Sequence, residues 1–134
     1  MSGNAPGLRV LAVDDHRSLR EMLALVLTEL GCEVRTAASG AEGLVAVRAD
    51  RFDLILTDLN MPAMDGFQFA QRAKVAAPGT PIALLSATAL TLTLDQLRDL
   101  GIDAYLPKPF AFSEIEGLLA ALARRPRQAL AGAA

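Results

Sequence analysis

The sequence predicts an α/β domain, a parallel sheet with helices packed on both of its faces. Three observations carry that expectation. Short apolar runs, such as LRVLAV (Leu8 to Val13) and PIALL (Pro81 to Leu85), alternate with stretches whose apolar residues recur every three or four positions. Leu54 to Leu56 and Pro81 to Leu85 lack polar alternation, as central strands covered on both faces do. The runs also stop abruptly at polar residues, Asp14, Asp58 and Ser86, which places polar groups at strand carboxyl ends, the edge where open α/β sheets bind ligands. Strands alternating with helices imply right-handed crossovers.

Leu8 to Val13 forms the first strand and delivers Asp14 and Asp15 at its end. From about Arg17, the residues Leu19, Met22, Leu23, Val26, Leu27 and Leu30 follow the spacing of an amphipathic helix, which Gly31 stops. Glu33 to Ala37 alternates polar and apolar side chains and reads as a half-exposed edge strand. Ser39 and Glu42 have the spacing of a capping box, in which the hydroxyl satisfies a helix amide and the carboxylate reaches back, so a helix runs on to about Ala49.

The stretch Phe52 to Gly66, FDLILTDLNMPAMDG, is a buried strand ending at Asp58 and then a loop marked by Pro62 and Gly66. Asp65 and Gln68 repeat the cap spacing and start a helix from about Gly66 to Val75, with Phe67, Ala70 and Ala73 facing inward, before Pro78 and Gly79 end it. Pro81 to Leu85 is the fourth strand, closed by Ser86. Leu90 to Leu100 is ambiguous, because LTLTL alternates like a strand whereas Leu90, Leu94 and Leu97 share a helical face. Helix is the expectation, since the next parallel strand needs a crossover element. Ala104 to Leu106 is a short fifth strand running into Pro107 and Lys108. Ser113 and Glu116 give a third capping box, and Ile115, Leu118, Leu119 and Leu122 line a last helix that fades near Arg124.

Five βα units suggest a flavodoxin-like, doubly wound, five-stranded parallel sheet of order 2-1-3-4-5 with five helices. The order is that of the known fold, since the residues by themselves do not select among strand orders. It makes the first and third strands neighbours, so Asp14, Asp15 and Asp58 meet.

A chain of 134 residues fits one domain, able to bury roughly two-thirds of the surface its unfolded form exposes. Residues 8–124 are expected to form it, with 1–7 as a disordered segment and 125–134 as a flexible tail. The 52% apolar content argues against disorder. No apolar run approaches the roughly 20 residues of a membrane span, so no membrane insertion is expected. Met1 to Gly7 lacks the basic start and apolar core of a secretory signal, and a cytoplasmic location follows by default. Cys32 is the only cysteine, which excludes an intrachain disulfide and a cysteine-based metal site and leaves an inert, partly buried thiol. A net charge of -2 gives no general reason to bind nucleic acid.

Carboxylates crowded at one sheet edge repel, and each tends to hold its proton unless a cation compensates. Hard oxygen ligands favour Mg²⁺, which takes one or two carboxylates, waters and a phosphate oxygen. Each polar strand end then has a possible role, with Asp58 as phosphoryl acceptor, Asp14 and Asp15 as metal holders, Ser86 as hydroxyl donor and Lys108 as cation. Phosphoryl transfer needs little more, because positioning and charge neutralisation supply most of its catalysis.

The acidic pair in VDD (Asp14, Asp15), TDLNMPAMDG around Asp58, LLSA with Ser86 and AYLPKPF with Lys108 stand in order at successive strand ends. In this the chain resembles the receiver domain of the bacterial response regulators, from Leu8 to about Leu122, and in particular single-domain, chemotaxis-regulator-like members. The resemblance implies that Asp58 accepts a phosphoryl group from a phosphohistidine on a sensor histidine kinase or phosphotransfer protein. It implies that Asp15, Asp58 and the backbone carbonyl of Asn60 ligate Mg²⁺, with Asp14 acting largely through water. It further implies that Lys108 contacts the acylphosphate, that Ser86 and Tyr105 move as a switch, and that the Lys108-Pro109 bond is cis.

The function expected is that of a single-domain response regulator signalling through phosphorylation-dependent contact with a downstream protein, as a monomer or weak dimer. It would be no enzyme beyond its own phosphorylation and dephosphorylation. A phosphorelay shuttle or phosphate sink is the alternative. An aspartyl-phosphate phosphohydrolase is disfavoured, because the haloacid-dehalogenase-like pattern wants an acid where Asn60 stands. His16 reads as an exposed first-turn residue, Asp65 as a helix cap, and Arg124, Arg125 and Arg127 as a solvated stop. Thr88 falls where the family tunes phosphoryl lifetime. Ala87 to Leu94, ATALTLTL, departs from the family in its apolar character, and it reads either as an unusual but buried helix or, with two leucines exposed, as a hydrophobic surface for dimerisation or a partner.

Overall fold

The computed structural model describes residues 7–88 and 90–123. It contains β1 (Arg9–Val13), α1 (Arg17–Glu29), β2 (Glu33–Ala37), α2 (Gly40–Ala49), β3 (Leu54–Asp58), α3 (Gly66–Ala76), β4 (Ile82–Ser86), α4 (Leu94–Asp99), β5 (Ala104–Pro107) and α5 (Phe112–Ala123). All strand pairs are parallel, in the order β2-β1-β3-β4-β5. The doubly wound arrangement follows from the period-2 alternation of the strands. Val10 and Ala12 of β1, Leu54 and Leu56 of β3, and Ala83 and Leu85 of β4 pack with Leu23 and Leu27 of α1 and with Ile115 and Leu119 of α5. Leu11, Val13, Ile55 and Leu84 point the other way, onto Leu44 and Val47 of α2, Phe69 and Ala73 of α3, and Leu97 of α4. Each fully buried leucine, such as Leu23 or Leu27 at 0% exposure, contributes about 2 kcal/mol of transfer free energy.

The helix starts are made by side chains. Ser39 accepts from the Glu42 amide at 3.1 Å while Glu42 accepts from the Ala38 amide at 3.0 Å. Asp65 and Gln68 form a reciprocal box at 2.9 and 3.0 Å. A third box joins Thr93 and Gln96, at 3.1 and 2.8 Å, and it fixes the start of α4 at Leu94.

Three expectations need correction. The fourth helix does not include Leu90 to Thr93. Leu90 and Leu92 pack partly buried against the core ahead of the helix, and Leu94, its first residue, is 49% exposed. The alternation of LTLTL is therefore a true period of two, and Thr93 ends it by capping the helix. In α3, Phe67 does pack, partly buried, against the core, but the fully buried aromatic is Phe69, at 0% exposure, two positions later and absent from the expected inward set. Finally, α5 starts at Phe112, so Ser113 lies within the first turn; the carboxylate that reaches back is Glu114, which accepts from the Ala111 amide at 2.8 Å. The expectations for 125–134, for most of 1–7 and for Arg124, Arg125 and Arg127 fall outside the described residues.

Candidate functional site

The strand register assembles the site. Val13 pairs with Thr57, so the next residues, Asp14 and Asp58, stand side by side on β1 and β3. Asp14 is fully buried and Asp58 is 3% exposed, an arrangement that is costly for carboxylates unless each is bonded or paired. The Asp14 amide donates to Ala37 O at 3.1 Å, its Oδ1 accepts the His16 amide at 2.8 Å, and its carbonyl accepts from Arg20 at 2.9 Å. These bonds fix both ends of the residue.

Lys108 supplies the positive charge. Ser86 pairs with Pro107, which places Lys108 just beyond the β4–β5 edge, and its amide donates to Ser86 O at 2.8 Å. The ammonium reaches Asp58 Oδ1 at 2.8 Å and Asp14 Oδ2 at 3.5 Å. The Lys108-Pro109 bond is cis. Close behind Asp58 lies Gly66, where a Cβ would come within 2.5 Å of Asp58 O. Glycine is what allows α3 to start against the β3 end.

Asp15 completes the acidic set. Its Oδ1 is buried and has no hydrogen-bond partner, although Asp15 as a whole is half-buried. One donor atom each from Asp14, Asp15, His16 and Asp58 can be chosen so that all lie within 4.8 Å of one another. Lys108 reaches two of the three clustered carboxylates, and the buried Asp15 Oδ1 remains without a hydrogen-bond partner. That donor set suits a hard divalent cation.

The remaining predicted residues converge on Thr88 rather than on the carboxylates. Ser86 Oγ accepts from the Thr88 amide at 3.0 Å and donates to the Thr88 carbonyl at 3.3 Å. The half-buried Tyr105 donates its hydroxyl to the same carbonyl at 3.2 Å. Asn60, exposed just after β3, donates from Nδ2 to Thr88 Oγ1 at 3.1 Å. The sequence marks Thr88 only for its position two beyond Ser86; its part as a common partner depends on how the β4 end turns, which spacing does not disclose. His16 is exposed, as expected, although it sits at the N-cap of α1 and not in its first turn, and its Nδ1 lies 3.3 Å from Asp15 Oδ1. A surface cleft of about 690 Å³, lined in part by Arg9, Phe52 and Pro81, sits at the opposite, amino-terminal edge of the strands and has no share in this chemistry.

Fold and pocket together define an α/β domain with an acidic, lysine-paired site at the carboxyl ends of its central strands. Residues 10–120 match the response regulator receiver domain. The response regulator MprA of Mycobacterium leprae is 38% identical over 120 residues, which cover 90% of this chain and 53% of that protein. The chain thus spans about half the length of the curated relatives it matches. Among solved structures, the chemotaxis protein CheY4 of Vibrio cholerae superposes with a TM-score of 0.81 at 35% identity, over 87% of this chain and 98% of that one. The receiver domain of sensor histidine kinase PA1611 of Pseudomonas aeruginosa, determined with a magnesium ion coordinated in its active site cleft, gives a TM-score of 0.78 at 27% identity, over 87% of this chain and 97% of that one. The chain belongs to the response regulator receiver domain family, a signalling family of two-component systems whose members work with histidine kinases. No helix among the described residues is long and apolar enough to cross a membrane.

Proposed function

We propose that this chain is a cytoplasmic single-domain response regulator in which Asp58 is phosphorylated by a phosphohistidine kinase or phosphotransfer protein. The observation that carries the reading is the contact of Lys108 Nζ with Asp58 Oδ1 at 2.8 Å, beside the Asp14 and Asp15 carboxylates. An Asp58 oxygen attacks the phosphorus, the bond from phosphorus to the imidazole nitrogen breaks, and the imidazole leaves with its electron pair. Lys108 neutralises the charge on the acceptor and then on the acylphosphate. Asp14, Asp15, Asp58 and the carbonyl of Asn60 would hold Mg²⁺, which neutralises charge on the transferring phosphoryl oxygens when bound. The orphaned Asp15 Oδ1 supports that fit.

Ser86 is the natural first element of a switch. Its hydroxyl is held by Thr88, and a phosphoryl oxygen on Asp58 offers a charged acceptor in competition with it. Because the Thr88 carbonyl also holds the Tyr105 hydroxyl, release of Ser86 alters the bonding of Tyr105. The signal then passes to a protein partner through Tyr105 and the neighbouring helices, with the chain acting as a monomer or weak dimer.

The test is mass spectrometry of the intact chain after exposure to a small phosphoryl donor with Mg²⁺. One added phosphoryl group is expected, absent in Asp58→Asn and after chelation. A modification independent of Asp58 would overturn the assignment.

A further inference from the structure

His16 is the one residue of the acidic pocket to which the proposed function gives no role, and it is the only histidine in the chain. It occupies the N-cap position of α1 in an extended conformation, φ -86 and ψ 113, and its amide bonds back to Asp14 Oδ1 at 2.8 Å. That bond folds the ring toward the carboxylates. Nδ1 comes to 3.4 Å from Asp14 Oδ1 and 3.3 Å from Asp15 Oδ1, while 68% of the side chain stays exposed. The shorter contact is not a hydrogen bond, since Asp15 Oδ1 has no such partner.

The spacing has a direct chemical reading. In an octahedral shell with bonds of about 2.1 Å, adjacent donor atoms lie about 3 Å apart, and each aims at the shared centre instead of at its neighbour. The His16 nitrogen, 3.4 and 3.3 Å from two carboxylate oxygens and with no hydrogen bond to the nearer one, has a separation close to that of neighbouring donors in such a shell. Mg²⁺ prefers an oxygen shell, whereas imidazole suits the borderline ions Co²⁺, Ni²⁺ and Zn²⁺. We infer that His16 Nδ1 is a ligand for borderline divalent ions in this pocket, which therefore distinguishes Co²⁺ and Zn²⁺ from Mg²⁺ by adding a nitrogen donor to the carboxylate set. The inference rests on the receiver reading of the pocket and adds to it a residue that sets metal selectivity.

The experiment titrates Mg²⁺, Co²⁺ and Zn²⁺ calorimetrically into the untagged 134-residue chain, His16→Gln and Asp15→Asn. In parallel, the ¹⁵N shifts of the imidazole are followed on adding Zn²⁺; with one histidine present, the assignment is unambiguous. Co²⁺ and Zn²⁺ should bind the parent chain more than about tenfold tighter than His16→Gln, with Mg²⁺ affinity changed less than about twofold. The Zn²⁺-induced shift of Nδ1 should vanish in Asp15→Asn. Equal Co²⁺ and Zn²⁺ affinities for the parent chain and His16→Gln, an imidazole unmoved while metal binds, or a shift that survives in Asp15→Asn would each overturn the inference. Retained Mg²⁺ binding in His16→Gln verifies that the variant is folded. Failure of the receiver reading looks different: no Mg²⁺ binding to the parent chain and no phosphoryl group on Asp58.

Discussion

Lys108 Nζ lies 2.8 Å from Asp58 Oδ1 and 3.5 Å from Asp14 Oδ2, so one ammonium spans carboxylates delivered by two adjacent strands. Both acids are buried, and the lysine side chain is only 17% exposed. Removing the cation leaves two buried anions facing each other. Lys108→Ala should cost about 3 kcal/mol in urea unfolding with chelator present, and added Mg²⁺ should return a large part of it. Asp58→Asn should cost much less, because the ammonium keeps Asp14. Equal losses for the two variants would show that this ion pair does not organise the site.

Gly66 lets α3 start directly behind Asp58. A Cβ there would meet Asp58 O at 2.5 Å and Leu59 Cα at 2.9 Å, both backbone atoms that cannot step aside cheaply. Gly66→Ala should destabilise by about 2 kcal/mol and weaken Mg²⁺ binding, since relief of the clash moves the end of β3 that carries Asp58. Gly117 in α5 is the internal control. A Cβ there meets nothing within 4 Å, so Gly117→Ala should stabilise by roughly 0.5–1 kcal/mol through helix propensity. Urea melts of both variants decide the matter, and similar effects would refute the steric account.

Much of this site is legible in the sequence because a parallel sheet sends all its strands to one edge. Once apolar runs are found to stop at Asp14, Asp58 and Ser86, and a strand to run on into Lys108, topology alone brings those residues together. What the sequence conceals depends on the path of irregular backbone. Thr88 gathers Ser86, Asn60 and Tyr105 only because the chain turns sharply after β4. His16 faces the pocket because its amide is pulled onto Asp14, a bond that no periodicity announces. The start of α4 is hidden for a different reason: Leu90, Leu92 and Leu94 satisfy periods of two and of nearly four equally well, and the Thr93–Gln96 box decides between them. Phe67 and Phe69 both suit an inward face, and the placement of α3 against β3 selects Phe69.

Tyr105 is the only tyrosine and the chain has no tryptophan, so intrinsic emission reports on one ring. Its hydroxyl shares the Thr88 carbonyl with Ser86. Phosphorylation should therefore change tyrosine emission in the parent chain and do so much less in Ser86→Ala, which still takes up the phosphoryl group. Tyr105→Phe should lower stability by about 1 kcal/mol at most, as expected for a neutral hydrogen bond at a half-buried position. An emission change of equal size in Ser86→Ala would separate Tyr105 from Ser86 and sink the switch as drawn.

Cys32, 7% exposed just before β2, tests how the other end of the fold is held. Burial pushes its thiol above the ordinary value of 9.0, and the negative charge of Asp53 adds to the effect. The sign of the linkage follows from the ionised form being the disfavoured one. Below the ordinary thiol value both folded and unfolded chains keep the proton, and the residue's full contribution to stability is present. As pH rises from there toward the folded value, only the unfolded chain ionises, and stability is lost. The difference in unfolding free energy between the parent chain and Cys32→Ala, followed from neutral pH upward, should therefore hold constant below about 9.0 and then shift against the parent chain. Taking the difference cancels every contribution that the two chains share. Thiol labelling in native buffer near neutral pH should also be slow and should accelerate sharply in urea, since the thiolate is the reactive form. A flat difference across the alkaline range, or labelling as fast in the native chain as in urea, would show that Cys32 is not held in a desolvated environment.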